Sequence, residues 1–353
     1  MIPHILETYF FCLPILVVAL SVLITKAMIR FSITAHPVHR SSHSVPTPSA
    51  GGVGFIVAFL LGFLCLVVFS FTDPTLRLFY KPIAIYGFTV VLLGTVSFFD
   101  DWKTLSHRFR LAIHAVCAFL IVWSGFTIQF PGLPVPHWVA NIVSFVAIIS
   151  LINAANFIDG LNGLLAGSVM LCLAFNSFLL VSASLNIVYV NTLLCSALLG
   201  FLIYNFPKAK IFMGDVGSTF LGLTCAFLAL LSQNYYPVYY AQHAWVHKAF
   251  IFTLTPLSFL WFDVAFTLLR RAMRGKNLAQ AHREHLIHIL NDCGYSHPLV
   301  SGLYFFSAFL MGVLTHLCHQ GVLSFLQFLW IYALLQSAFV FWVFYTKQRR
   351  IPS

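Results

Sequence analysis

The sequence predicts an all-α, polytopic membrane protein with about eleven (10–11) transmembrane helices, and three observations predict it. The 353-residue chain is 60% hydrophobic and only 8% charged, where a soluble domain carries about 25% charged residues. Apolar runs of about 18 residues or more, long enough to cross a bilayer, recur from end to end. The few charged side chains gather in the connections between those runs.

The apolar segments lie near 7–29, 50–71, 82–99, 110–128, 138–154, 162–183, 187–204, 216–233, 248–269, 299–318 and 322–346. The first run, Tyr9 to Ile24, has neither a basic leader nor a small-residue cleavage site, so it reads as a permanent span. The connections alternate. One set, near 30–49, 100–110, 155–161, 205–215 and 270–298 with the tail from Lys347, is polar and basic. The other set, 72–81, 129–137, 184–186, 234–247 and 319–321, is short or nearly uncharged. Sixteen Lys and Arg fall on the first side and three on the second. The positive-inside rule then places the basic loops and the C-terminus in the cytoplasm and the N-terminus outside.

The whole chain, 1–353, reads as one integral membrane domain with no internal repeat. The longest polar stretch, 270–298, has room for an amphipathic helix, with Leu278, Ala281, His285, Ile289 and Asp292 at rough helical spacing. A net charge of +10 is mostly a property of the basic face. It suits topology and anionic lipid and gives no reason to expect nucleic acid as a partner. The eight cysteines form no CxxC pair, which indicates neither a zinc site nor a disulfide framework.

The nine acidic residues carry the chemical information. Carboxylates at membrane depth are costly and default to functional candidates. Asp100, Asp101, Asp159 and Asp215 each stand where an apolar helix ends or begins on the basic side, and Asp263 lies inside the ninth span. Asp100 and Asp101 repel one another, which suits a base or a metal ligand, or else a helix terminus in water with Lys103 beside it. In Asn153-Ala154-Ala155-Asn156-Phe157-Ile158-Asp159-Gly160-Leu161-Asn162-Gly163, Asn153, Asn156 and Gly160 share a helical face, and glycines allow close backbone approach. In Lys208-Ala209-Lys210-Ile211-Phe212-Met213-Gly214-Asp215-Val216-Gly217-Ser218, Asp215 precedes a long helix. Capping alone does not account for the glycines, the aromatic ring and the two lysines. In His282-Arg283-Glu284-His285-Leu286-Ile287-His288 the histidine spacing suggests zinc, but Arg283 suits an oxyanion better. Together these groups suit a metal–diphosphate centre. Mg²⁺ takes one or two protein oxygens plus phosphate oxygens, and phosphoryl transfer is mostly positioning and charge neutralisation.

The four motifs, in this order and spacing from about residue 36 to 290, resemble those of the polyprenyl-phosphate N-acetylhexosamine-1-phosphate transferases. This is the glycosyltransferase family of the peptidoglycan-precursor translocase and of the O-antigen-initiating enzymes. Arg40-Ser41-Ser42-His43, Pro46-Thr47-Pro48 and Gly51-Gly52 are similar to the family's first cytoplasmic loop. The resemblance implies transfer of a sugar-1-phosphate from a UDP-N-acetylamino sugar to polyprenyl (undecaprenyl) phosphate, releasing UMP. It implies Mg²⁺, with Mn²⁺ as an alternative, and a site on the cytoplasmic face of a bacterial inner membrane. A homodimer is compatible with it.

By the same resemblance Asp100 would be the base, paired with Asp101, and Asp159 the carboxylate of the DG element. Asn156 and Asp215 would bind the metal. Asn153 would join the substrate site, Asn162 and Phe212 would meet the uracil, and Arg110 the carrier phosphate. His282, Arg283 and His285 fit the HRxH form of the histidine loop, on the branch handling modified N-acetylamino sugars in surface-polysaccharide synthesis. The chain departs from the family at Asn162, where many members have Asp, at Ala35-His36-Pro37, at Ser49-Ala50, and in its loop, HREHLIHIL, which stands between the HRxH form and the HxHH type of the N-acetylglucosamine enzymes. The rival expectation is a secondary transporter of an anionic solute. Its binding groups would sit near the bilayer midplane within internal repeats.

Overall fold

A computed structural model describes residues 4–31, 33–35, 46–72, 80–130, 133–181, 184–240, 249–278, 280 and 282–350. Most of the first basic loop, 36–45, with its Arg-Ser-Ser-His sequence, lies outside the described residues.

Among the described residues, the long apolar runs are mostly helical. The helices are α1 (His4–Arg30), α2 (Gly52–Thr72), α3 (Tyr80–Lys103), α4 (His107–Trp123), α5 (His137–Ile158), α6 (Leu164–Leu180), α7 (Leu185–Asn205), α8 (Gly214–Tyr240), α9 (Ala249–Leu254), α10 (Ser258–Met273), α11 (Leu286–Asp292), α12 (His297–His319) and α13 (Phe325–Arg350). A two-residue antiparallel ladder joins β1 (Thr34–Ala35) to β2 (Thr47–Pro48). Among the described residues, nine helical segments are long and apolar enough to cross a membrane. Helices α4 and α6, at 17 residues each, are shorter.

One of the nine is interrupted. Pro256 has no N–H to continue the helix, and a 3₁₀ turn over Thr255–Leu257 separates α9 from α10. The carbonyl of Thr253, freed near this break, accepts the side-chain amide of Asn176 at 3.0 Å. Buried backbone acceptors in an apolar medium need such partners.

Helix α8 is the centre of the bundle, with 89% of its apolar window buried. It packs against α2, α3 and α5. Small residues permit the close approaches, as in membrane helix pairs generally. A Cβ on Gly52 would lie 2.5 Å from the Gly217 backbone, and one on Gly222 would lie 2.6 Å from the α5 backbone at Ile152. Buried hydroxyls then pair across the seam, Tyr86 with Thr224 at 2.9 Å and Ser97 with Thr219 at 3.0 Å. The outermost helices, α1 and α13, bury only 17% of their windows. They present Ile15, Leu23, Trp330 and Phe341 outward, as a lipid-facing surface does.

The long polar connection is organised differently from its pattern. The expected amphipathic helix over Leu278–Asp292 is confined to Leu286–Asp292. Leu278 lies outside it, and Ala281 is outside the described residues. The helix begins where a buried carboxylate takes its first N–H groups, described below.

Candidate active site

The C-terminal ends of α3 and α5 and the N-terminal end of α8 meet at one end of the bundle. Successive helical residues point about 100° apart, so the two neighbouring aspartates of α3 do different things. Asp101 accepts the backbone N–H groups of Asp215 at 2.9 Å and Val216 at 3.2 Å. It therefore caps α8 from another helix and satisfies two of its free donors. Gly214, at φ +71°, permits this, because a Cβ there would collide with the Asp101 carboxylate. Asp100 points away, accepting the Leu105 N–H at 2.5 Å and Arg110 Nη1 at 2.8 Å.

Arg110, on the first turn of α4, reaches both sides. The same Nη1 lies 2.6 Å from Asp215 Oδ2, and Nη2 lies 2.6 Å from His107 Nδ1. One guanidinium thus balances a carboxylate from α3 and another from α8.

On α5, Asn156 donates its side-chain amide to Ser218 Oγ at 3.1 Å, on the same turn of α8 that carries Asp215. This leaves the Asn156 amide oxygen as its electron-pair donor. Asp159 follows as the C-cap of α5. Burial, then the nearby carboxylates of Asp215 and Asp101, push its carboxyl up to about 8. Gly163 turns the chain at φ +71°, and its N–H is held by Asn205 Oδ1 at 2.7 Å. Asn205 Nδ2 donates to the Ile211 carbonyl at 2.8 Å, so one buried amide ties the Asp159 turn to the Asp215 turn. Phe212 is held through its backbone, donating to Pro48 O at 2.9 Å and accepting from Gly51 N at 2.8 Å.

The histidines close the other side. The ring centroids of His282 and His285 are 4.9 Å apart, and those of His285 and His288 are 6.3 Å apart. A Cβ on Gly160 would strike the His288 ring at 2.5 Å, so that glycine lets the histidine loop pack onto the Asp159 turn. Burial, followed by His285 and Arg271, lowers His282 to about 4. Burial, followed by His285 and Arg283, lowers His288 to about 3. Both rings are neutral in the ligand-free protein near pH 7.

These walls enclose a cavity of about 490 Å³ lined by Asp101, Arg110, Asn156, Asp159, Asn162, Phe212, Asp215, His282 and His285, with Ser218, Asn205 and His288 among the rest. The sequence nominated nine of these from four separate stretches. Three other nominees lie off the wall. Asn153 donates back to Ile149 O at 2.8 Å. Asp100 stands behind Arg110. Arg283 pairs with Asp292 at 2.7 Å. Asn205 is not among the residues the sequence singles out, and Asp263 is singled out there without a role. Asp263 carried a legible signal, a carboxylate within an apolar span, whereas a lone Asn at a helix end carried none.

The cavity can do definite chemistry. It offers carboxylate and amide oxygens to a cation, a guanidinium to a phosphate, neutral imidazoles to a leaving or attacking oxygen, and an aromatic ring to a flat base.

Comparison with known proteins points the same way. The profile described as glycosyl transferase family 4 matches residues 83–233. A probable undecaprenyl-phosphate N-acetylglucosaminyl 1-phosphate transferase of Bacillus subtilis (strain 168) is 27% identical over 290 residues, covering 80% of this chain and 76% of its own. A decaprenyl-phosphate N-acetylglucosaminephosphotransferase of Mycolicibacterium smegmatis is 30% identical over 299 residues, covering 76% and 71%. An undecaprenyl-phosphate alpha-N-acetylglucosaminyl 1-phosphate transferase of Thermotoga maritima is 27% identical over 255 residues, covering 72% of each.

Proposed function

The chain belongs to glycosyl transferase family 4, and on that premise we propose that it transfers a sugar-1-phosphate from a UDP-linked N-acetylamino sugar to a polyprenyl phosphate. One observation carries the residue-level reading: Asp101, Asp159 and Asp215 share a single cavity with Arg110 and the histidine loop. An oxygen of the carrier phosphate attacks the β-phosphorus of the donor. The bond from that phosphorus to the bridging oxygen breaks, UMP departs with the electron pair, and polyprenyl-diphospho-sugar remains.

Each side chain has a task in this reading. Arg110 neutralises the carrier phosphate, a role suited to a guanidinium. When it does so, Asp100 is released from its ion pair as the base for that phosphate. Asp101 fixes the first turn of α8 and so the direction of Asp215. Asp159, protonated when the cavity is empty, ionises once positive charge enters beside it. His282 and His285 meet the diphosphate, Phe212 stacks on the uracil, and Asn162 hydrogen-bonds to it.

The donor set fits a hard cation. Carboxylate and amide oxygens from Asp215 and Asn156 stand together at the cavity. Among the described residues, no group of three His, Cys, Asp or Glu is arranged to hold an ion unaided. Mg²⁺ is commonly held this way, by one or two protein oxygens plus phosphate oxygens, and Mn²⁺ has the same preference. Bound there, Mg²⁺ would draw the diphosphate to the carboxylates and offset its developing charge. The basic loops favour the cytoplasmic side for this cavity by the positive-inside rule, and this reading sets it in a bacterial inner membrane, where both UDP-sugars and the carrier's phosphate are accessible.

The test uses purified protein in detergent with undecaprenyl phosphate. UDP-GlcNAc, UDP-GalNAc and 6-deoxy N-acetylamino UDP-sugars are offered separately, and UMP is recorded. UMP release that needs lipid and Mg²⁺, persists with Mn²⁺, and is abolished by EDTA is expected. Asp215→Ala and Asp100→Asn are expected to abolish it in folded protein. Near-wild-type turnover in either variant would sink the role assigned to that residue.

A further inference from the structure

Asp263 lies on α10, inside an apolar span, with its side chain completely buried. Its Oδ1 faces the Leu286 N–H at 2.8 Å, the Thr267 hydroxyl at 3.2 Å and His285 Nδ1 at 3.3 Å. Its Oδ2 takes the Ile287 N–H at 3.1 Å and the Tyr304 hydroxyl at 2.9 Å. Leu286 and Ile287 open α11, and Tyr304 belongs to α12. One carboxylate therefore joins α10, α12 and the histidine loop. Negative charge in so apolar a place is costly unless donors surround it, and here donors surround both oxygens.

We propose that Asp263 is a positioning residue for the transfer reaction. It roots the N-terminus of α11 and holds His285 in the form that gives Nδ1–H to the carboxylate and turns Nε2 to the cavity. The proposal rests on the transferase reading only for what the cavity holds.

An ionised carboxylate only accepts, so the ring nitrogen facing it must carry a hydrogen. That nitrogen is Nδ1. In the neutral ring the lone pair then sits on Nε2. In the protonated ring Nε2–H becomes the second donor. Either way the ring plane and its outward atom are fixed. His285 is 3% exposed and still lines the cavity, so a small rotation would turn Nε2 into protein. A carboxylate orients an imidazole in this way in hydrolase triads and behind metal-bound histidines. The arrangement also explains why the histidine loop becomes helical only from Leu286. The first two N–H groups of α11 have a buried, charged acceptor.

Two measurements test it. The first compares UMP-release kinetics of wild type, Asp263→Asn, His285→Ala and the double variant. Asp263→Asn keeps the size of the side chain but no longer dictates the ring form. Its kcat should fall about 10- to 100-fold with the donor KM nearly unchanged. In the His285→Ala background the same change should cost less than about twofold, because non-additivity marks residues that act together. Fully additive losses would show a general structural role and overturn the proposal. The second uses ring-nitrogen NMR of ¹⁵N-histidine protein, with His285 identified by its loss in His285→Ala. It needs neither activity nor a folded Asp263 variant. Protonation of Nδ1, alone or with Nε2, is expected, and a ring protonated at Nε2 alone overturns the proposal. Wild-type protein that releases no UMP with any donor counts against the transferase reading, while the ring-nitrogen result still decides the anchor.

Discussion

Arg110 Nη1 stands 2.6 Å from Asp215 Oδ2, across 105 residues of chain. The contact joins the first turn of α4 to the first turn of α8, and the same nitrogen also holds Asp100. Two carboxylates that would repel one another are thereby held about one guanidinium, Asp215 at the cavity and Asp100 behind it. Arg110 and Asp215 are partly exposed, at 28% and 31%, and ion pairs of that kind add little stability, while the buried Asp100 keeps a second donor in the Leu105 N–H. Their value is in placing charge.

Arg110→Ala should therefore separate function from folding. UMP release is expected to drop about 100-fold or more, a loss typical of removing a preorganised charge from a phosphoryl-transfer site. The unfolding temperature in detergent should move by no more than about 5 °C. Arg110→Lys restores charge without the fork, and is expected to recover only part of the activity. Wild-type turnover in Arg110→Ala would remove this residue from the mechanism.

Gly214→Ala strikes the hinge beside that pair. The position has φ +71°, and a Cβ would run into the Asp101 carboxylate. Strain of about 1–3 kcal/mol is expected from the left-handed backbone alone. Displacement of Asp101 should also uncap α8 and misdirect Asp215. Thermal melts and UMP release should both fall. A variant that melts and turns over like wild type would contradict the capping geometry.

Asp159→Asn should stabilise the ligand-free protein while it disables the enzyme. The folded carboxyl sits at about 8, raised by burial first and then by Asp215 and Asp101, against 3.8 for a free group. An acid whose folded pKa is raised destabilises the fold progressively as pH climbs from 3.8 to about 8. Below pH 4 the variant and wild type should melt together. By pH 8 the variant should melt a few degrees higher, about 2–5 °C. UMP release should be lost throughout. Equal melting at pH 8 would refute the assignment.

The histidine loop carries the opposite dependence. His282 is lowered to about 4 and His288 to about 3, both chiefly by burial, from 6.5. A histidine held neutral contributes stability that is complete above pH 6.5 and is lost as pH falls towards its folded pKa. Unfolding temperature should thus decline from pH 7 to pH 4. His288→Gln should flatten that decline, since glutamine has no charge to acquire. Circular dichroism melts across this range supply the check, and an unchanged slope in the variant would exclude His288 as a source.

Much of this molecule is written locally. Continuous apolarity places the helices, because in lipid the backbone must satisfy its own hydrogen bonds. The cavity residues were legible because carboxylates, amides and glycines are conspicuous against an apolar background, as Asp101, Asn156, Asp159 and Asp215 show. The interruption at Pro256 and the short reach of α11 were not read from the pattern. Helical spacing across 278–292 suggested a longer helix, yet the helix begins where Asp263, more than 20 residues earlier, supplies an acceptor.

The sequence by itself determined the membrane class, the apolar segments and the chemical types of the site, since these follow from composition and from residues near one another in the chain. Only the tertiary structure decided which groups share a cavity. It set Asp101 on the α8 backbone and Asp100 behind Arg110, turned Asn153 back on its own helix, paired Arg283 with Asp292, and brought Asp263 beneath His285. The physical reason is that a polar side chain near a helix end has several partners within reach. Which one it takes depends on how distant helices pack, and no local spacing records that.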